Sequence, residues 1–178
     1  MKTILRIIIC LQFGMLFSQE EDRDQIINEA NRYVATGNQI LVKDGNFPKA
    51  EGEYRKAISK NPVDPTAKNN LANAYYNSQK YDEATQRYTA ATKVATTKSE
   101  KHKAFHNQGN TFMEQKKYQE AVEAYKNALR NNPKDDETRY NLALAKKMLE
   151  QQQQQNVENK FDKNKYQNQV LDHYQYQN

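Results

Sequence analysis

The sequence predicts an all-α protein, an α-solenoid of about three helix–turn–helix repeats closed by a C-terminal capping helix. Three observations carry the prediction. A pattern of small and aromatic residues recurs with a step of 34 residues, as from Tyr54 to Tyr88. Within each copy the pattern falls at i, i+3, i+7 and i+10, the apolar stripe of a helix. Five Gly and four Pro in 178 residues are too few for a sandwich of many short strands joined by tight turns.

The chain opens on its one strongly apolar stretch, residues 1–18, MKTILRIIICLQFGMLFS. Lys2 and Arg6 give it a positive start. Ile7 to Phe17 has the length of a secretory apolar core and falls short of the ~20 residues of a comfortable membrane span. The polar run QEEDRDQ follows from Gln19, so the expected reading is a signal peptide cut near Ser18–Gln19 and an exported product. Leu16 occupies a position where a small residue is preferred, which leaves an uncleaved N-terminal membrane anchor as the alternative. Cys10 is the only cysteine, and Ile8 and Ile9 stand where a lipoprotein needs small residues. Once residues 1–18 are removed, disulfides and thiol catalysis are excluded.

A repeat domain is expected over 24–150. Aligned on Tyr54, three segments fall into register: GNFPKAEGEYRKAISKNP (45–62), QKYDEATQRYTAATKVAT (79–96) and KKYQEAVEAYKNALRNNP (116–133). Each carries an aromatic (Phe47, Tyr81, Tyr118), an alanine (Ala50, Ala84, Ala121), a tyrosine (Tyr54, Tyr88, Tyr125) and a second alanine (Ala57, Ala91, Ala128). Another helix precedes each segment, clearest in AKNNLANAYYNS (67–78) and AFHNQGNTFMEQ (104–115). There a small residue (Ala72, Gly109) is followed three later by an aromatic (Tyr75, Phe112); in the first repeat Asn38 and Leu41 hold those places. The repeats are placed at 31–64, 65–98 and 102–135. The step from Tyr88 to Tyr125 is 37 residues, so TTKSEKHK (96–103) holds a three-residue insertion, read as a solvated loop. Asp64 and Pro65 supply an N-cap and a proline at the first helical position, and Pro62 and Pro133 end helices.

One such repeat cannot bury its own apolar face, and about three are the minimum for stability, so capping is needed. DQIINEANRYVATGN (24–38) shields repeat one, and residues 136–150 begin like a fourth repeat with no second helix behind it. The tail, 151–178, opens with five Gln and stays rich in Gln, Asn and Lys. It has too few aliphatic residues to offset ordering entropy and is expected to be disordered after at most a turn or two of further helix. An entropic spacer is the expected role, with Phe161, Tyr166, Tyr174 and Tyr176 as an alternative docking motif.

The repeated pattern resembles the tetratricopeptide repeat, whose Trp-like position is held here by Val34, Lys68 and Phe105, with Thr96 in place of the proline seen at Pro62 and Pro133. The resemblance implies a concave groove made by the first helix of each pair. Carried over position by position, that groove takes Thr66, Asn69, Asn73, Tyr76 and Asn77 from repeat two. Repeat three gives Lys103, His106, Asn110, Met113 and Glu114, and the cap gives Tyr140, Leu144 and Lys147. Asparagine offers both a donor and an acceptor, which suits the main chain of an extended peptide. For Asn73 and Asn110 bonding to the neighbouring repeat is the competing role, and for Asn70, Asn107 and Asn141 it is the expected one. The chaperone-type carboxylate clamp of the family needs a Lys and Asn pair in the first repeat, where Ala35 and Gln39 stand. More narrowly, RYNLALAKKMLEQQQQQ (139–155) behind a signal-like start and three repeats resembles the small repeat proteins of bacterial aerotolerance (Bat) operons. That resemblance implies a periplasmic or membrane-associated envelope protein in stress tolerance, working beside membrane-bound von Willebrand A-type partners.

No Gly-rich phosphate loop, HExxH, CxxC or nucleophile elbow is present. His102 and His106 are spaced i, i+4 without a third ligand implied by spacing, so no metal, no cofactor and no catalytic residue is expected. The formal charge of +5 falls to +3 without Lys2 and Arg6, which does not suggest a nucleic-acid binder. The function expected is a non-catalytic scaffold binding a protein or peptide partner. The alternatives are a periplasmic assembly or secretion adaptor and, from another class, a metal-binding protein or enzyme subunit using His102 and His106.

Overall fold

The computed structural model describes the backbone of residues 2–175 and the side chains of residues 22–169. Among the described residues seven helices follow one another: α1 (Lys2–Asp44), α2 (Phe47–Lys60), α3 (Pro65–Asn77), α4 (Tyr81–Val94), α5 (Lys98–Glu114), α6 (Tyr118–Asn131) and α7 (Asp136–Gln175). The export segment 1–18 and the tail aromatics Tyr174 and Tyr176 lie outside the residues whose side chains are described. Among the described residues no helix is long and apolar enough to cross a membrane.

Turns of two to four residues join the helices, so α1–α2, α3–α4 and α5–α6 form packed pairs and α7 lies against α6. The first helices α1, α3, α5 and α7 also touch in succession and share one side of the stack. The turn behind each of the first three is tight. Gly45, Gln79 and Lys116 all adopt left-handed backbone, with φ of 58°, 59° and 57°, and Lys80 and Lys117 donate their amides to Tyr75 and Phe112 carbonyls at 2.9 Å. Each pair is filled by the tyrosine of its second helix: Tyr54, Tyr88 and Tyr125 are at most 2% exposed. They stack against alanines that are fully buried, such as Ala50, Ala84 and Ala121. A glycine lets the helices approach. A Cβ on Gly109 would come within 2.5 Å of the Tyr125 ring, and one on Gly37 within 2.8 Å of the Tyr54 ring.

That last contact corrects the register of the first repeat. The small residue facing its tyrosine is Gly37, not Asn38, and three residues on Ile40 packs against the core alongside Leu41. One extra residue lies between Asn38 and Phe47 compared with the later repeats, which shifts every upstream position by one. The Trp-like place thus belongs to Tyr33, while Val34 is buried deeper in the core. In repeat two Lys68 fills that place. It is buried along its length, and its ammonium donates to the Pro62 carbonyl and, at 3.5 Å, to that of Asp64. Burial lowers its pKa.

The three-residue insertion is also not a loop. Lys98 to Lys101 add a turn to the front of α5, because Thr97 and Glu100 form a reciprocal capping box there. Repeat three therefore starts at Lys98 and not at 102. At the far end α7 continues through the expected tail to Gln175. No Gly or Pro interrupts the sequence after Pro133, and Gln, Lys and Glu are good helix formers. The expectation of disorder missed this backbone preference. Every side chain from Gln153 to Gln169 is exposed. Among the described residues the last tie to the solenoid is Gln152, which donates to the Lys116 carbonyl at 3.4 Å.

Candidate functional site

The first helices present a ladder of asparagines with one geometry in three copies. Asn38 Oδ1 accepts from the Tyr54 hydroxyl at 2.7 Å and from Asn70 Nδ2 at 3.3 Å. Asn73 Oδ1 accepts from Tyr88 at 2.6 Å and from Asn107 at 3.2 Å. Asn110 Oδ1 accepts from Tyr125 at 2.7 Å and from Asn141 at 3.2 Å. Each rung ties a first helix to its own second helix and to the first helix of the next repeat. Burial pushes the pKa of all three tyrosines up, so they stay donors.

Two adjoining pockets open on this ladder. One, of about 270 Å³, is lined by Asn73, Tyr76, Asn77, Tyr88, Asn107 and Asn110. The other, of about 330 Å³, includes Asn38, Tyr54 and Asn70 and shares Asn73 and Asn77. Four residues expected in the groove, Asn73, Tyr76, Asn77 and Asn110, are thus brought together. Asn69 is not part of it: it is 3% exposed, and its Oδ1 has no hydrogen-bond partner. Met113 packs against the core cluster of Val122, Tyr125 and Ala145. Lys103 and Tyr140 are exposed on α5 and α7, outside this pair of pockets.

Sequence reasoning missed Asn38, Tyr54 and Tyr88 as groove residues. The shared Gly-Asn pair at Gly37–Asn38 and Gly109–Asn110 was the available signal, hidden by the one-residue slip. With the register corrected, the two clamp positions move from Ala35 and Gln39 to Val34 and Asn38. The asparagine is then present, but the position of the lysine is taken by a buried, uncharged side chain.

His106, expected to line the groove, sits where α5 meets the cap, as does His102. His102 Nδ1 lies 3.1 Å from the Ala128 carbonyl, and His106 Nδ1 lies 2.6 Å from Thr138 Oγ1. Among the described residues no group of three or more His, Cys, Asp or Glu is placed to hold a metal ion.

The pockets are lined by carboxamides, the tyrosines Tyr54, Tyr76 and Tyr88 and the aliphatic Leu41, Val42 and Ala74, with no charged residue. Such a surface can pair with peptide groups by hydrogen bonding and offers no nucleophile with an adjacent base.

A tetratricopeptide-repeat family model matches residues 39–97, and a TPR-repeat model matches residues 109–149. No curated protein sequence matches the chain. Among solved structures it is similar to the N-terminal domain of stress-induced protein-1 from C. elegans, at 28% identity and a TM-score of 0.62 over 68% of this chain and 97% of that one. The second TPR domain of human RPAP3, solved in complex with the HSP70 peptide SGPTIEEVD, shares 25% identity at a TM-score of 0.59, covering 66% of this chain and 95% of that one. The Sgt2 TPR domain from Aspergillus fumigatus has the same fold, with 24% identity and a TM-score of 0.63 over 71% of this chain and 82% of that one. With three helix pairs, a cap and family matches over more than half its length, the chain belongs to the tetratricopeptide-repeat family.

Proposed function

We propose that the protein is a non-catalytic scaffold that binds an extended segment of a partner protein along the asparagine pockets. The observation that carries this reading is the hydrogen-bond accounting of the ladder. The Oδ1 of Asn73 already accepts two hydrogen bonds, so its acceptor capacity serves the fold. Its amide hydrogens, the Oδ1 of Asn107 and the whole carboxamide of exposed Asn77 remain for a ligand. A peptide main chain offers alternating carbonyls and amides to such a row. The HSP70 peptide held by the RPAP3 domain supports peptide binding by this fold. The missing clamp lysine favours recognition along the main chain over capture of a terminal carboxylate.

The test separates binding from folding. Asn73 and Asn110 hold rungs, so their loss is expected to lower the melting temperature. Tyr76→Ala with Asn77→Ala removes a ring and a carboxamide that hold no rung. The pair is expected to weaken binding by a hundredfold or more, on the order of 3 kcal/mol, measured by titration against the partner with melts alongside. A stable double variant that binds normally excludes the pockets as the binding surface and turns attention to Phe161 and Tyr166.

The export reading and the Bat resemblance make the fitting partner a membrane-bound von Willebrand A-type envelope protein, engaged from the periplasmic side. An assembly or secretion adaptor would use the same groove for a different client. Envelope-fraction protein is expected to begin near Gln19 on N-terminal sequencing. Retention of Met1 would make residues 1–18 an anchor.

A further inference from the structure

The junction of repeat three with the cap holds two imidazoles whose proton positions the surrounding groups determine. The Ala128 carbonyl is an acceptor, so His102 Nδ1, at 3.1 Å, carries the hydrogen. Its Nε2 then faces Asp135 Oδ2 at 3.5 Å. Asp135 caps α7, accepting from the Thr138 amide at 2.9 Å and from the Thr138 hydroxyl. With that hydroxyl hydrogen directed to the carboxylate, Thr138 Oγ1 is the acceptor for His106 Nδ1 at 2.6 Å. These bonds hold the Asp135 carboxyl below the usual range, the Thr138 hydroxyl most of all.

His106 Nε2 has two neighbours of opposite demand. Asn110 Nδ2 lies 3.2 Å away, and Glu137 Oε1 lies 3.5 Å away. The amide orientation of Asn110 is fixed by its rung, where Oδ1 accepts from Tyr125 and Asn141. Its Nδ2 is therefore a donor, and the neutral ring accepts it. A proton on Nε2 turns that contact into donor against donor. The charged and titratable groups facing His106 are His102 from α5, Tyr125 from α6, Asp135 from the turn before α7, and Glu137 from α7.

We infer that this cluster is an acid-responsive latch: protonation re-pairs the Nε2 atoms of His102 and His106 with Asp135 and Glu137, and releases Asn110 from His106. The residue released is a ladder asparagine, so the cap end of the groove changes its hydrogen-bonding face. Repeat two has no such device, because Asn69 stands where repeat three has His106.

The test is an NMR titration of the purified chain from pH 8 to pH 5, following the His106 ring and the side-chain amides of Asn73 and Asn110. The Asn110 amide is expected to shift with the midpoint of His106, while the Asn73 amide stays in place. His106→Asn, which supplies the residue of repeat two, is expected to abolish the Asn110 shift. An Asn110 amide that stays flat while His106 titrates overturns the inference, as does one that moves together with Asn73. If the variant does not fold, the comparison of the two asparagines in the unaltered chain decides alone.

Discussion

Tyr88→Ala is expected to lower the stability of the solenoid by about 3 to 5 kcal/mol, the range for emptying a buried aromatic site. The ring is 2% exposed and lies in the middle repeat, with fully buried Ala84 and Ala91 on the same helix. Its hydroxyl holds the Asn73 rung that joins α3 to both α4 and α5. In a linear array each repeat leans only on its neighbours, so a defect in the centre weakens both halves. Thermal melts followed by circular dichroism should fall by roughly 10 °C or more, with a broadened transition. Tyr88→Phe keeps the ring and loses one hydrogen bond, about 0.5 to 1.5 kcal/mol. A Tyr88→Ala protein melting within a degree or two of the parent would show that the rings are not what holds the pairs together.

A chain ending at Asp135 is expected to lose cooperative folding of repeat three. The cap contributes buried Ala145 and the part-buried Leu142 and Leu149, packed on Ala121, Val122 and Tyr125. Uncovering that contact forfeits roughly 3 to 5 kcal/mol of apolar burial, a large share of the 5 to 15 kcal/mol typical of a domain. A chain ending at Gln155 keeps this contact and the Gln152 tie, and should melt like the full chain because the described side chains beyond it, through Gln169, are exposed. Amide hydrogen exchange in α5 and α6 distinguishes the two truncations. Equal protection in both would mean that repeat three stands without its cap.

The helix pairs were legible because their signal is local. The spacing of Phe47, Ala50, Tyr54 and Ala57 sets one helical face, and its recurrence sets the repeat. Three features were harder to read. A one-residue offset in the first repeat is invisible to spacing inside either helix; only the contact of Gly37 with Tyr54 reveals it. The length of α7 was masked by composition, since a helix exposed on all sides lacks an apolar stripe yet has nothing to stop it. The added turn of α5 rests on the capping box of Thr97 and Glu100 inside a run that looked like a charged loop. In the groove, Asn73, Tyr76 and Asn77 came together because i, i+3 and i+4 share a helix face. Asn69 lies one turn earlier on that face, where burial is nearly complete. The sharing of Asn73 between rung and ligand is a long-range property, set by Tyr88 and Asn107 and carried by no single segment.

The rungs stand at Asn38, Asn73 and Asn110, 35 and then 37 residues apart along the chain, yet they make the same bonds to the same partners. Distance along the sequence and distance along the groove are therefore separate quantities. The surplus residues have been absorbed at the end of α1 and the start of α5, away from the rungs. Insertions at those junctions can accumulate over evolutionary time without altering what a partner meets at each step. Duplicating a whole repeat between two rungs would lengthen the groove by one division, as a graduation is added to a ruler, and would leave the existing marks where they are.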